Sequence, residues 1–160
     1  MTQGEEMAPL EIPITRTLIV SGAIASRDYQ DVHHDAELAR AKGSPDIFMN
    51  ILTTNGLVGR YITDHFGPTA VLCKVAIRLG APNYPGDTMV LTGTVERVEP
   101  SSEGSEGSEG SEGSVGSVGS VDSVGETVTV RVVGVNGIGN HVTGTVTVTV
   151  PPAVPAGGAA

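Results

Sequence analysis

The sequence predicts a single α+β domain, and three observations carry that prediction. The chain has 160 residues, a length that fits one domain. Its first half places apolar residues three and four apart, as on one face of a helix. Its second half contains segments in which valine alternates with polar residues, the period of strands with one buried face. Helices followed by antiparallel strands give a helix laid against a sheet. Tryptophan is absent and there are two Phe and three Tyr, so the core has to be built from Val, Ile, Leu and Ala.

Taken in order, MTQGEEMAPLEIP is acidic and has no apolar h-region, so it is not read as a secretory signal. Residues 1–9 are expected to be a flexible lead-in to a domain spanning 10–150. ITRTLIVSGAIAS fits a helix or a strand, and we assign it a short helix. DAELARAKG is a second short helix, capped by Asp35 and stopped by Gly43. Ile47, Phe48, Ile51, Leu52, Asn55, Val58 and Ile62 define one face of a long helix of about five turns. HFGP, with Gly67 and Pro68, ends it. Gly56 and Gly59 inside this helix each cost about 1 kcal/mol relative to Ala, which implies that something approaches its backbone closely.

Three later segments read as strands: DTMVLTGTVERVE, TVTVRVVGV and HVTGTVTVTV. Val128, Val130 and Val132 alternate in the second, and Val146, Val148 and Val150 in the third. Between the first two lies a run of Ser-Glu-Gly and then Ser-Val-Gly triplets. With glycine at every third position and little to bury, residues 101–125 read as a disordered insertion. Proline is missing from it and it is too short for collagen. A long connection between paired strands is tolerated, because closure entropy rises slowly with length. Residues 151–160 read as a flexible tail. Open strand edges predict a partner that extends the sheet.

Composition excludes several function classes. A net charge of −9 argues against nucleic acid and anionic membrane surfaces, which need clustered Lys and Arg. No run approaches the ~20 apolar residues of a membrane span, so a soluble cytoplasmic protein is expected. The single cysteine, Cys73, excludes an internal disulfide or a multi-cysteine zinc site. Its apolar neighbours make it a buried small hydrophobe.

The stretch RDYQDVHHD, residues 27–35, gathers three aspartates and two of the four histidines. Asp28 and His33 lie five apart across an irregular segment, so a tight turn can aim both into one cleft. A carboxylate and an imidazole there can hold a water between them and do acid/base work near neutral pH. On spacing alone, a structural role is as good a reading of the pair. Asp35 has the cap to serve, and His34 points away if His33 points inward. His33, His34 and Asp35 are too close in sequence to aim at one ion, so no metal is expected. Arg60 and Asp64 are placed for an i, i+4 ion pair. The glycines of GVNGIGNH lie between strands, which makes them a β-turn or bulge rather than a phosphate loop. His141, after them, packs or is solvated.

SRDYQDVHHDAELARAKGSPD resembles the signature of the MaoC-like (R)-specific enoyl-CoA hydratases: Asp, any residue, Asn, Pro, an aliphatic residue, His. Asp28, Val32 and His33 fall on the aspartate, aliphatic and histidine positions, while Gln30 and Asp31 replace the Asn and Pro. RLGAPNYPGDTMVLTGTVERVE resembles the family's strand-turn-strand with its Pro-Gly-Asp-Thr turn, and GLVGRYITDHFGP the end of its central helix. The resemblance implies a hotdog fold, a long helix wrapped by an antiparallel sheet and paired edge to edge with a second hotdog. It also implies hydration of a trans-2-enoyl-CoA to a 3-hydroxyacyl-CoA. In that reaction Asp28 binds the water as base and His33 shares its activation and proton transfer. A backbone N–H at the start of the helix meets the thioester oxygen.

Where the family has a His-Gly pair at that point, this chain has Asn50 and Ile51. Ile51 N–H is then the oxyanion donor, with Asn50 shaping the pocket. Lys74 and Arg78 share one strand face, either a solvated surface or contacts to CoA phosphates. No cofactor is implied beyond the CoA that the substrate carries. DIFMNILTTNGLVGRYITD resembles most the small MaoC-like subunit of actinobacterial hydratases acting on CoA thioesters of steroid side chains. That branch implies a second MaoC-like hotdog subunit as partner, in a dimer of heterodimers, and a thiolase-like aldolase recruited through that subunit. Two other readings compete: a hotdog thioesterase, which needs a carboxylate on the helix, and a non-catalytic subunit that binds acyl-CoA or stabilises an enzyme.

Overall fold

Alternating valines and a long amphipathic helix settle into one sheet wrapped around that helix. The computed structural model describes residues 1–101 and 125–152. Residues 102–124 of the insertion expected over 101–125, and residues 153–160 of the tail, lie outside the described residues. In order come β1 (Glu6–Pro13), α1 (Arg16–Ala25), a 3-10 turn (Asp31–His33), α2 (Ala36–Ala41) and α3 (Ile51–Phe66), followed by β2 (Val71–Leu79), β3 (Thr88–Pro100), β4 (Glu126–Val135) and β5 (Asn140–Val150). The strands pair antiparallel in the order β1-β3-β4-β5-β2. This is the α+β hotdog arrangement that the sequence predicts.

The inward face of the sheet carries Met89, Leu91 and Val95 from β3, Val128, Val130 and Val132 from β4, and Val142, Val146 and Val148 from β5. Val58, Tyr61 and Ile62 of α3 and Ile19 of α1 pack into that layer. β5 and β2 approach closely at Gly144, where an added Cβ would lie 2.2 Å from the Ala76 carbonyl oxygen. Gly144→Ala is therefore expected to destabilise the fold by about 1–3 kcal/mol through overpacking against backbone. Urea denaturation checks this; an unchanged midpoint would show that the two strands separate without cost.

Four expectations change. First, residues 6–9 are not flexible but open edge strand β1, with Met7 buried against the core and a register shift between Met7 and Leu10. Pro9, which lacks an N–H, hid the strand pattern and is tolerated at an edge or bulge. Second, α3 starts at Ile51 rather than Ile47, because Asn50 caps it by accepting from Thr53 N (2.9 Å). Phe48 and Met49 remain outside the helix, bonded through their N–H groups to the carbonyls of Val32 and Asn83. Third, Cys73 is exposed, since it sits where the register of edge strand β2 slips between Leu72 and Lys74. Fourth, an added Cβ on Gly59 would only touch Leu72 at 3.4 Å, and one on Gly56 would meet nothing within 4 Å. The close approach expected at Gly56 is absent within the described chain.

Other local signals hold. Asp35 caps α2 through Glu37 N and Leu38 N, and α3 ends at Gly67 with φ +91°. Arg60 and Asp64 pair at 3.1 Å on the exposed side of α3. Pro-Gly-Asp-Thr does form a turn, with Gly86 at φ +92°. It joins β2 to β3 across the end of the sheet, since those strands are not neighbours. Ser101 N donates to Gly125 O (2.7 Å), so the described chain stops and resumes at the end of the β3–β4 hairpin. No described helix is long and apolar enough to cross a membrane.

Candidate active site

Thr15 starts α1 by accepting from Leu18 N (3.0 Å), and the helix ends at Ser26. Arg27 then takes φ +56°, in the left-handed region that few side chains adopt. This reversal returns the chain on itself, and Asp28 N donates to Ala23 O (2.9 Å). Asp28 is thereby fixed just beyond the end of α1. After Tyr29 and the extended Gln30, the 3-10 turn Asp31–His33 brings the His33 ring back to meet it. The irregular five-residue spacing is thus a turn that faces the two side chains together.

His33 Nε2 lies 3.3 Å from Asp28 Oδ2, with side-chain exposures of 7% and 17%. His33 Nδ1 lies 2.7 Å from the Phe48 carbonyl oxygen, which can only accept, so Nδ1 carries the hydrogen. The Phe48 ring stands edge-on to the imidazole at 5.0 Å and 82°, holding its plane. In the neutral tautomer, Nε2 therefore presents a lone pair beside a carboxylate oxygen. Neither group can donate to the other, whereas a water can donate one hydrogen to each. The arrangement can seat and polarise a water.

Asn50 joins this pair to the long helix. Its Nδ2 donates to Asp28 Oδ2 (3.0 Å) and Ser26 Oγ (2.9 Å), while its Oδ1 caps the helix at Thr53 N. The next residue, Ile51, is the first of α3. Among the described residues no group accepts from its N–H, and its side chain is half exposed. An unpaired amide at a helix N-terminus carries the positive end of the helix dipole and suits a developing oxyanion. A mainly apolar groove of about 330 Å³ runs between α1 and α3 from Ser26, lined by Gly22, Ala25, Leu52, Gly56 and Leu57.

Of the remaining candidates, Asn50 belongs to this cluster and the others lie apart from it. Asn50, expected to shape the pocket, is buried and spends its side chain on Asp28, Ser26 and the cap. Lys74 and Arg78 lie exposed on β2 opposite Thr147 and Thr143 of β5, and neither bonds to the Asp28 cluster among the described residues. His34 Nε2 bonds to the Tyr29 carbonyl (3.1 Å) and its side chain is exposed. Asp31 pairs with Lys42 (2.6 Å), which lowers its carboxyl below the usual range. Among the described residues no three His, Cys, Asp or Glu side chains group as metal ligands. The GVNGIGNH segment is a turn closed on itself, with Asn136 Oδ1 accepting from Ile138 N and Gly139 N and Asp87 accepting from Gly137 N.

One supporting residue escaped the sequence. His141 is fully buried, with Nδ1–H donating to Ala81 O (2.6 Å) and Nε2 accepting from Thr54 Oγ1 (2.8 Å). It braces the first turn of α3 from the start of β5. Burial is the main cause of its lowered titration, partly offset by the Ala81 carbonyl. The unfolded chain thus binds a proton near the usual value of 6.5, where the folded chain does not. This contribution to stability is complete above about 6.5. It is lost as pH falls through that value towards the lower folded one. The urea midpoint is expected to fall from pH 7.5 to 5.5, and to fall less in His141→Gln; equal falls would remove His141 as the cause.

A family model described as MaoC like domain matches residues 2–115. Over 143 residues the chain is 42% identical to the 3-oxo-4,17-pregnadiene-20-carboxyl-CoA hydratase beta subunit of Mycobacterium tuberculosis, covering 89% of this chain and 92% of that relative. It superposes on a chain of the ChsH1–ChsH2 complex from Mycobacterium tuberculosis with a TM-score of 0.73 and 40% identity, over 93% of this chain and 98% of that one. The unliganded R-hydratase PhaJ1 of Pseudomonas aeruginosa has the same fold, with a TM-score of 0.74 at 17% identity over 96% of this chain and 84% of that one.

Proposed function

The chain belongs to the MaoC-like domain family, and from that membership we propose that it is the water-adding subunit of a heteromeric enoyl-CoA hydratase. One observation carries the reading: Asp28 Oδ2 and His33 Nε2 face each other at 3.3 Å while His33 Nδ1 is committed to Phe48. A water held by both loses a proton to the pair as its oxygen bonds to Cβ of a trans-2-enoyl thioester. The π electrons move to the thioester carbonyl, where Ile51 N–H stabilises the oxyanion. The proton passes from the pair to Cα, the carbonyl re-forms, and the pair ends as it began. CoA enters and leaves with the substrate, and the reaction requires no further cofactor.

We assign the acyl group as a steroid side chain because the curated relative at 42% identity is named for such a thioester. The half-exposed Ile51 and Leu52 and the apolar groove beside Ser26 suit a bulky apolar group. A second MaoC-like subunit is the proposed partner, on the likeness to a chain of the ChsH1–ChsH2 complex and on the sheet edges at β1 and β2. The same reading extends to a dimer of heterodimers, a thiolase-like aldolase recruited through the partner, and a cytoplasmic location. The thioesterase reading lacks its helix carboxylate: Asp46 precedes α3 and is bound by Arg16, while Asp64 near its end is bound by Arg60.

The test is a hydration assay with a steroid side-chain enoyl-CoA and with crotonyl-CoA, using the chain alone and co-expressed with its genomic neighbour. Loss of enoyl thioester absorbance is expected for the steroid substrate, and only in the co-expressed form. Turnover of crotonyl-CoA by the chain alone would replace the heteromeric steroid hydratase with a homomeric one.

A further inference from the structure

Resting on the hydratase reading, we propose that Asn50 is a positioning residue that orients the Asp28 carboxylate and ties it to the oxyanion donor. Every polar atom of its side chain is used. Oδ1 accepts from Thr53 N, which fixes the amide's orientation, because the flipped amide would set N–H against N–H. Both hydrogens of Nδ2 are then spent, one on Ser26 Oγ and one on Asp28 Oδ2. Ser26 is itself held, donating through Oγ to Gly22 O (2.7 Å).

Two consequences follow for Asp28. Its Oδ2 is engaged by Asn50 and faces His33, while among the described residues Oδ1 has only a long contact from Gln30 N at 3.5 Å. Asn50 thus sets which carboxylate oxygen faces His33 Nε2, where the proposed water is shared. The second consequence is geometric. Asn50 and Ile51 share a peptide bond, so the residue that grips the base also sets the position of the oxyanion N–H. The spacing between base and oxyanion site depends on one buried residue, which is the preorganisation that addition to an enoyl thioester needs.

A helix cap alone would explain the Thr53 contact but not the two donors. Asn50→Ser and Asn50→Asp separate the roles, since Ser and Asp both cap helices well. In the complex with its partner subunit, Asn50→Ser is expected to lower kcat ~10-fold with KM nearly unchanged, as for a lost positioning contact. Asn50→Asp keeps the cap but sets a carboxylate beside Asp28, and like charges oppose ionisation. Its kcat is expected to fall ~10²-fold near neutral pH, with the acid limb of kcat/KM moved to higher pH. The NMR titration of the His33 ring proton should move to higher pH too, whether or not any substrate turns over.

Thermal midpoints close to wild type in both variants are part of the expected result. Wild-type kcat and an unmoved pH profile in Asn50→Asp would overturn the proposal, as would losses that only track a lowered midpoint. If the wild type hydrates no enoyl-CoA but the His33 titration still moves, the hydratase reading fails and the link from Asn50 to the pair stands. If the wild type turns over and neither titration nor profile moves, the role of Asn50 fails alone.

Discussion

Asp28→Asn is expected to lower kcat about 10²–10⁴-fold, the usual contribution of a general base, while KM changes little. The substitution is nearly isosteric, and Asn50 Nδ2, now 3.0 Å from Asp28 Oδ2, can donate to an amide oxygen in its place. The backbone bond from Asp28 N to Ala23 O does not involve the side chain, so the turn after α1 stays intact. What disappears is the negative charge proposed to take the water's proton. Steady-state kinetics of the complex and its elution on size exclusion check both halves of the expectation. A kcat within tenfold of wild type would remove Asp28 from the role of base.

Removal of the imidazole has the second large effect, but His33→Ala mixes chemistry with packing. His33 is buried against Phe48 and bonds its carbonyl. Its loss strands a part-buried acceptor, which costs up to about 1–3 kcal/mol. His33→Asn separates the two effects, because its amide N–H can take the place of Nδ1–H while nothing replaces Nε2. Both variants are expected to lose ~10²-fold or more in kcat, and only Ala to lose the stability. The proposed action of Asp28 and His33 on one water makes the double variant hardly worse than the worse single one. Activity retained in His33→Asn would show that Nε2 takes no part in proton transfer.

These expectations rest on groups that the sequence revealed unequally. Period-two valines and the apolar helix face made the sheet and its wrapped helix legible, because burial of one face writes a period into the chain. β1 was illegible because an edge strand needs only part of that pattern, and Pro9 and the acidic residues around it broke the rest. The start of α3 is hidden in the sequence because Ile47 and Phe48 continue the apolar spacing ahead of it. An Asn directly before Ile51 is the cap signal that points to it. Asp28 and His33 stood out by residue type, but spacing alone left them an even choice between a structural role and chemistry. What brings them together is a left-handed Arg27 and a 3-10 turn, neither of which has a period to read.

The supporting bonds were hidden for a different reason. Asn50 to Asp28 spans 22 positions and Thr54 to His141 spans 87, so only the folded chain brings the partners together. His141 stood at the start of a strand next to a glycine-rich turn, where a buried histidine and a solvated one look alike. Cys73 failed the opposite way, its apolar neighbours suggesting burial on a strand that proves to be the sheet's edge.

The most direct test of the central claim is the mass of the product formed by the complex from a steroid side-chain enoyl-CoA in water enriched in oxygen-18. The Asp28–His33 account predicts an intact 3-hydroxyacyl-CoA thioester that carries one heavy oxygen from the solvent. A labelled free acid with released CoA would instead show a thioesterase. Recovery of the unlabelled enoyl thioester would show a subunit that binds substrate without adding water, and either result would contradict the account.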